Sequence, residues 1–167
     1  EIIVHIPFVF AGFDQEVCVE DSVVLIGQGS NISWSNNVLD STYFYPDSTL
    51  EYILTVQDTN GCYNYDTVLV TVYNLPQVDA GIDSLVICEG DELLLEGSGA
   101  ISYSWNQGVM DGVYFVPIID TTYIVMGVDT NGCINTDSIF VAVAPLPIID
   151  SVSVIDVQYG NDAAIFT

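Results

Sequence analysis

Four cysteines are the residues of this sequence whose chemistry is easiest to specify. Cys18 and Cys62 lie in the first half of the chain, and Cys88 and Cys133 lie at matching places in the second half. This pattern predicts a disulfide framework formed in an oxidising compartment. Zinc binding is the competing explanation for the cysteines. However, no Cys-x-x-Cys spacing occurs, and the one histidine, His5, precedes all four cysteines.

Carboxylates are the second group that could do chemistry, because the chain has 23 Asp and Glu residues and no Lys or Arg. Each carboxylate must therefore be solvated, accept backbone N–H bonds, bind a cation or take up a proton. Asp58 and Asp129 occur in the same Asp-Thr-Asn-Gly-Cys context and are the candidate calcium ligands. The ligand spacing of an EF-hand is absent. The sequence predicts no other metal and no cofactor.

No constellation of residues in this chain is typical of an enzyme. A nucleophilic triad needs a positioned histidine, and His5 lies before the part of the sequence that repeats. Phosphate-binding glycine loops are absent, and no motif supports a catalytic carboxylate pair. We therefore predict no catalytic residues and no enzymatic activity.

The charge also limits the partners that this chain can bind. Its formal net charge is −23, whereas nucleic-acid binding draws its affinity from Lys and Arg. Anionic membrane surfaces are disfavoured for the same reason, and no apolar run is long enough for membrane insertion. The acidic surface is expected to be solvated and to repel itself, which keeps a long molecule soluble and extended.

The sequence segments that must position these residues occur twice in the chain, as an internal repeat. Residues 52–62 and 123–133 each contain a β-rich run, then Asp-Thr-Asn-Gly, then a cysteine, and the two cysteines are 71 positions apart (133 − 62). Other matched pairs are Cys18 with Cys88, Trp34 with Trp105, Pro46 with Pro117, and Leu75-Pro76 with Leu146-Pro147. A repeat of about 70 residues predicts tandem small domains.

Short alternating apolar runs in each repeat predict β-strands. Asn-Gly between two such runs predicts a hairpin with a primed turn, in which both residues have positive φ. Six or seven short strands per repeat predict an all-β fold of tandem Ig-like antiparallel β-sandwiches. Trp34 is expected in the first core, and Ile101, Tyr103 and Trp105 are expected to face the second core.

The same pattern predicts where the domains begin and end. Residues 7–75 and 76–147 are the two sandwich repeats, joined by short proline-containing linkers that stiffen the junction. Residues 1–6 are expected to be the last strand of a preceding domain. Residues 148–167 are expected to be the first strands of a further, truncated domain.

A family resemblance rests on motifs that are best preserved in the second repeat. The chain resembles the Ig-like and PKD-like repeats of very large bacterial surface proteins exported by type IX secretion, including gliding-motility adhesins. The motifs that carry the resemblance are Ala80-Gly81, Cys88-Glu-Gly90, Gly97-Ser98-Gly99, Tyr103-Ser-Trp105, Thr121-Thr-Tyr123 and Asp129-Thr-Asn-Gly-Cys133.

The resemblance implies extracellular display at the cell surface and tandem arrays with adhesive or spacer roles. We expect a non-enzymatic segment that forms a stiff acidic stalk or filament, whose partners are neighbouring domains of the same long chain or filament. The alternative is an accessory module that binds a surface glycan or protein through loops. The candidate loops are residues 36–41 with 107–112, and 58–60 with 129–131.

Aspartate is followed by serine or threonine more often than chance predicts. Ten of the 16 aspartates have this neighbour, and eight of these pairs continue with an aliphatic residue or threonine. That triplet resembles the O-glycosylation motif of bacteria with type IX secretion. Asp-Ser and Asp-Thr pairs also start turns well, which is the alternative explanation. The candidate sites are Ser22, Ser41, Ser48, Thr67, Ser84, Thr121, Ser138 and Ser151.

Two disulfide arrangements remain open at the level of sequence. One bond within each repeat would join Cys18 to Cys62 and Cys88 to Cys133. In Ig-like strand order, however, these partners lie at opposite ends of a domain, and a disulfide needs Cα atoms within about 7 Å. A bond across the junction, from Cys18 to Cys133, would leave Cys62 and Cys88 for outside neighbours.

Overall fold

The computed structural model describes residues 6–150, and these residues form ten β-strands and no α-helix. Within this range no helix is long and apolar enough to cross a membrane. The strands of the first repeat are β1 (Gln15–Cys18), β2 (Val23–Val24), β3 (Ser33–Trp34), β4 (Tyr43–Phe44), β5 (Leu50–Gln57) and β6 (Tyr63–Tyr73). Those of the second repeat are β7 (Ser84–Cys88), β8 (Ser102–Trp105), β9 (Thr121–Val128) and β10 (Ile134–Ala144).

Each repeat has one four-stranded sheet with a smaller layer packed against it. The strand orders are β1-β6-β5-β3 in the first repeat and β7-β10-β9-β8 in the second. The smaller layer of the first repeat is the β2-β4 pair, and a single bridge between Leu93 and Phe115 stands in its place in the second. The prediction of an all-β, tandem Ig-like sandwich is confirmed.

One strand pair in each repeat departs from antiparallel pairing. The first strand of each sheet runs parallel to the last strand, β1 beside β6 and β7 beside β10. In this register Cys18 lies opposite Tyr73, and Cys88 lies opposite Ala144. Both cysteines therefore lie at the end of a sheet where the last strand leaves its domain.

Alternation along the central strands builds a separate core in each repeat. In the first repeat, Tyr52, Leu54 and Val56 of β5 face inward and are at most 3% exposed. Trp34 and Trp105 are 8% and 7% exposed, so the expected core position of both tryptophans is confirmed. Buried residues of the first core run from Ala11 to Val70 and those of the second from Ala80 to Val141.

The predicted inward position of Ile101 is wrong, because this side chain is 65% exposed. The backbone N–H of Ala100 donates to the Tyr103 hydroxyl (2.7 Å), and the hydroxyl donates to the Ala100 carbonyl (2.6 Å). These bonds hold a turn just before β8, so the regular alternation starts after Ile101.

The primed turn predicted for the two Asn-Gly hairpins is also wrong. Gly61 and Gly132 have positive φ (83° and 84°), whereas neither Asn60 nor Asn131 does. In the first hairpin, the N–H of Asp58 donates to the carbonyl of Cys62 (3.0 Å). The loop therefore has three residues and ends with glycine in the left-handed region, the arrangement called a G1 bulge.

The two cores lie within the predicted repeats, 7–75 and 76–147. Of the strands predicted in residues 1–6 and 148–167, residues 1–5 and 151–167, with His5 and Ser151, lie outside the described residues. Ile6 and residues 148–150 are exposed and belong to no strand.

Candidate functional site

A disulfide between Cys18 and Cys133 crosses the junction of the two domains. The two Cα atoms are 5.6 Å apart, although the residues are separated by 115 positions in sequence. Cys18 ends β1, and Cys133 immediately precedes β10. The bond therefore ties the exit end of the first domain to the hairpin end of the second.

The alternative with one bond inside each repeat, Cys18–Cys62 and Cys88–Cys133, is wrong for this structure. Cys62 directly precedes β6, whereas Cys18 lies beside Tyr73 at the other end of that strand. An eleven-residue strand spans about 36 Å at 3.3 Å per residue. No disulfide can bridge that distance, and Cys62 and Cys88 are both free and exposed.

Aspartate side chains hold the backbone around both bonded cysteines. The Asp21 carboxylate accepts a hydrogen bond from the N–H of Cys18 (3.2 Å). The Asp129 carboxylate accepts hydrogen bonds from the N–H groups of Asn131 (2.8 Å) and Cys133 (2.9 Å). The predicted hairpin thus places its cysteine at the junction, and the Asp129 carboxylate holds the turn through two backbone hydrogen bonds.

The candidate calcium ligands Asp58 and Asp129 occupy equivalent hairpins and are not brought together. The Asp58 carboxylate accepts hydrogen bonds from the N–H groups of Asn60 and Cys62, each at 2.8 Å. Among residues 6–150, no group of three or more His, Cys, Asp or Glu side chains could hold a metal ion. Both carboxylates act as turn acceptors, which is a role that needs no metal.

The linker adds further contacts to the junction. Pro76 is buried, and its carbonyl accepts a hydrogen bond from Nδ2 of Asn135 on β10 (2.9 Å). A groove of about 370 Å³ runs beside the disulfide. Its lining residues come from both domains and are Cys18, Val19, Glu20, Asp21, Leu75, Gly132 and Ile134. The hydrogen bond lies within the second repeat and is matched in the first by that of Asn64 Nδ2 to the Pro7 carbonyl (2.8 Å), so the domains are joined by the disulfide and the peptide linker.

A pair of aspartates that the sequence reasoning missed supports the core tryptophans. Asp40 Oδ1 accepts hydrogen bonds from Trp34 Nε1 (2.9 Å) and from the N–H of Gly27 (2.8 Å). Asp111 Oδ1 does the same for Trp105 Nε1 and the N–H of Gly97, both at 2.8 Å. Each aspartate follows its tryptophan by six residues, and this shared spacing was the available signal.

The hydrogen bonds to Asp40 change its acidity. Burial alone raises the pKa of this carboxyl, but the bonds from Trp34, Gly27 and Ser41 together outweigh burial and hold the pKa below 3.8. For Tyr52, burial and then the negative charge of Asp47 raise the pKa of the phenol above 10.0. Asp40 is thus held ionised where it supports the fold.

The candidate glycosylation sites are spread over both domains. Ser22, Ser41, Ser48, Ser84, Ser138 and Thr67 are exposed, and Thr121 is half-buried. The Thr121 hydroxyl donates to the carbonyl of Ile119 (3.1 Å), and the Ser41 hydroxyl donates to Asp40 Oδ2 (2.9 Å). The sites do not cluster around the junction disulfide.

One of the candidate binding loops borders a groove. Gln107 and Val109, from the 107–112 loop, help to line a groove of about 300 Å³ in the second domain. The wall of this groove includes Val116 and Ile118, which are 46% and 81% exposed. An apolar side chain could lie there, but no acid or base other than the buried Tyr123 lines the groove.

Solved tandem Ig proteins have folds similar to this chain. The titin I-band fragment I67–I69 is 11% identical, with a TM-score of 0.43 over 86% of this chain and 67% of that one. The insect immune protein hemolin is 13% identical, with a TM-score of 0.46 over 83% of this chain and 47% of its own. The tandem Ig repeats of Dlar are 14% identical, with a TM-score of 0.35 over 86% and 100% of the two chains.

These similarities concern the fold alone, and this chain spans less than two thirds of the hemolin chain. No protein-family model and no curated protein matches the sequence. The Ig-like assignment agrees with the sheet order of the two repeats, and the function must be argued from the junction itself.

Proposed function

We propose that the chain is a non-enzymatic structural or adhesive segment of an extracellular array, and that it forms a stiff acidic stalk or filament on a bacterial surface. The single observation that carries this proposal is the Cys18–Cys133 bond across the junction. The bond joins residues of two different domains and closes no loop within either one. Its effect is to fix one domain against the other.

Attachment through a disulfide as well as a linker restricts relative rotation of the domains more than a linker alone can. A flexible linker lets two domains rotate about one point, and relative domain motion is the default for small polar interfaces. Here the linker passes through buried Pro76 while the disulfide joins Cys18 to the hairpin of the second domain. The disulfide opposes rotation about the linker alone, and this restraint stiffens the pair.

The charge supports the same role. With 23 acidic residues and no Lys or Arg, every pair of charged side chains in neighbouring domains repels. Repulsion between exposed charges acts over about 8 Å at physiological ionic strength. This repulsion opposes collapse of successive domains onto one another, so stiffness at the junction and repulsion along the chain both favour an extended shape.

The free thiols provide a direct test of stiffness, because Cys62 and Cys88 are exposed and lie at the ends of the two domains that face away from the junction. Spin labels on these two residues should give a narrow distance distribution by double electron–electron resonance. The double variant Cys18→Ser/Cys133→Ser should give a clearly broader distribution, because only the linker then joins the two domains.

A matched control replaces the junction cysteines by alanine, so that the loss of the bond is separated from the polarity of serine. Far-ultraviolet circular dichroism should show unchanged β-structure in both variants. If the distribution is equally narrow with and without the disulfide, the bond does not stiffen the junction and the proposal loses its main support.

O-glycosylation at the Asp-Ser and Asp-Thr triplets belongs to the same proposal, since six of the seven described sites are exposed. Glycans on a stalk add bulk and solubility at the surface. The 167-residue chain, isolated from its natural source, should have an intact mass greater than the 18.1 kDa of the bare polypeptide by whole sugar units. Mass spectrometry of the intact chain measures this difference. The unmodified mass would contradict this part of the proposal and leave the stalk untouched.

A further inference from the structure

The two free cysteines have the same backbone setting as the two bonded ones. Cys88 repeats the position of Cys18: its N–H donates to the Asp91 carboxylate (3.0 Å), as that of Cys18 does to Asp21 (3.2 Å). The next residue also repeats, because the N–H groups of Val19 and Glu89 each donate to the last strand's carbonyl at 2.8 Å. Cys88 is therefore already in the conformation that carries the junction bond.

Cys62 repeats the position of Cys133 in the same way. The N–H of Cys62 donates to Asp58 (2.8 Å), and that of Cys133 donates to Asp129 (2.9 Å). The two cysteines differ in exposure, since Cys133 is fully buried and Cys62 is exposed. What covers Cys133 is the end of the first domain, and no described residue covers Cys62 in this way.

Each domain thus carries both halves of one type of bond, one at each end. At the junction the halves meet as Cys18–Cys133. We propose that Cys88 and Cys62 are the unmatched halves of the same bond, and that each pairs with a neighbouring repeat of the same polypeptide. Cys88 would bond to the hairpin cysteine of a following repeat, and Cys62 to the β1-type cysteine of a preceding one.

Cys62 and Cys88 cannot form a disulfide with each other within one chain. Cys62 precedes β6, whose other end lies at the junction, and Cys88 lies beside the far end of β10. Each strand has eleven residues and spans about 36 Å. Two domain lengths therefore separate the thiols, far beyond the roughly 7 Å that a disulfide allows between Cα atoms.

The bond would form by thiol–disulfide exchange in an oxidising compartment. The two thiols lose two protons and two electrons and become one S–S bond. An external disulfide, such as oxidised glutathione, accepts both and leaves as two thiols. The result is a series of disulfides that crosses successive junctions, so the stiffening proposed above extends along the array. This inference rests on the proposed array function.

Peptide mapping of the natural full-length polypeptide tests the pairing. Free thiols are first blocked with N-ethylmaleimide, and the unreduced protein is then cleaved before aspartate. Trypsin is unsuitable, because the chain has no Lys or Arg. Cleavage before aspartate places each cysteine in its own peptide, namely 14–20, 58–65, 83–90 and 129–136.

We expect peptide 14–20 to be linked to 129–136, and the other two to be linked to peptides from outside this chain. The partner of 83–90 should have cysteine as its fifth residue, as in Asp-Thr-Asn-Gly-Cys. The partner of 58–65 should end two residues after its cysteine, because aspartate follows three residues after both Cys18 and Cys88. The 167-residue chain produced alone is the control, in which 58–65 and 83–90 carry the blocking group.

Two outcomes overturn this inference. Blocked thiols on 58–65 and 83–90 of the full-length polypeptide would show that both cysteines stay free. A link between 58–65 and 83–90 would show that separate copies pair instead of neighbouring repeats. Either result leaves the 14–20 to 129–136 link, and with it the proposed stalk, intact. Loss of that link would count against the proposed function itself.

Discussion

Reduction of the Cys18–Cys133 disulfide should lengthen the fully stretched chain by about 380–410 Å. The bond closes a loop of 115 residues, and an extended chain spans at most about 3.3–3.6 Å per residue. When the chain is pulled from residues 1 and 167, force passes through the disulfide and bypasses that loop. Most buried core residues lie inside the loop, whose backbone cannot be extended while the bond is intact, and Ala11, Ile139 and Val141 lie outside it.

Single-molecule force spectroscopy measures this length directly. Without reductant, only the segments before Cys18 and after Cys133 can extend, which includes peeling of β1 and β10 from their sheets. With dithiothreitol, the stored length should appear as additional unfolding steps. The variant Cys62→Ser/Cys88→Ser keeps the bond and should behave as the unchanged chain, whereas Cys18→Ser should release the full length without reductant.

Release of the full length without reductant would mean that the bond does not form in the folded chain. Such a result would also remove the basis for the proposed stiff junction. A bond that forms but is reduced under load would release its length at a rate that rises with the concentration of dithiothreitol. An absent bond would show no such dependence. The experiment therefore separates absence of the bond from its weakness.

Much of this architecture could be predicted from the repeat. The matched cysteines and tryptophans set the period, and alternation around Leu54 and Val56 gave the strands and their inward faces. These features are local, because side-chain direction follows the period of two in any strand. The hairpins were placed correctly, although the turn type depended on whether Asn60 adopts positive φ, which it does not.

Features that depend on distant contacts could not be predicted to the same extent. The correct disulfide could be chosen only if the position of Cys18 beside Tyr73 was known. This is a parallel strand pairing between residues 55 positions apart. The error at Ile101 arose because the Tyr103 hydroxyl holds the preceding turn. The role of Asp40 required the position of the Trp34 indole, which only the folded core defines.

Replacement of Asp40 by alanine should destabilise the first domain by about 2–4 kcal/mol, since each buried donor left without an acceptor costs about 1–3 kcal/mol. The change removes the acceptor of both Trp34 Nε1 and the Gly27 N–H. Trp34 is only 8% exposed, so water can replace the lost acceptor only in part. Chemical denaturation monitored by tryptophan fluorescence measures the loss.

Asp47→Ala is the matched control, because it removes an exposed carboxylate of the same charge whose side chain is not a core acceptor. Any general effect of reducing the net charge of −23 should appear in both variants. Asp111→Ala should weaken the second domain by a similar amount, because its bonds to Trp105 and Gly97 repeat those of Asp40. Equal stability of Asp40→Ala and Asp47→Ala would refute the supporting role.

The contribution of Asp40 to stability should depend on pH in a defined direction. The pKa of Asp40 in the folded state lies below 3.8, so its contribution to stability is fully present above that pH and is lost as the pH falls through the folded-state value. Relief of repulsion among the other carboxylates acts in the opposite direction. The difference in unfolding free energy between the unchanged chain and Asp40→Asn isolates the Asp40 contribution. This difference should shrink with acidification, and a difference that stays constant from pH 7 to pH 2 would assign the effect of the substitution to packing instead of charge.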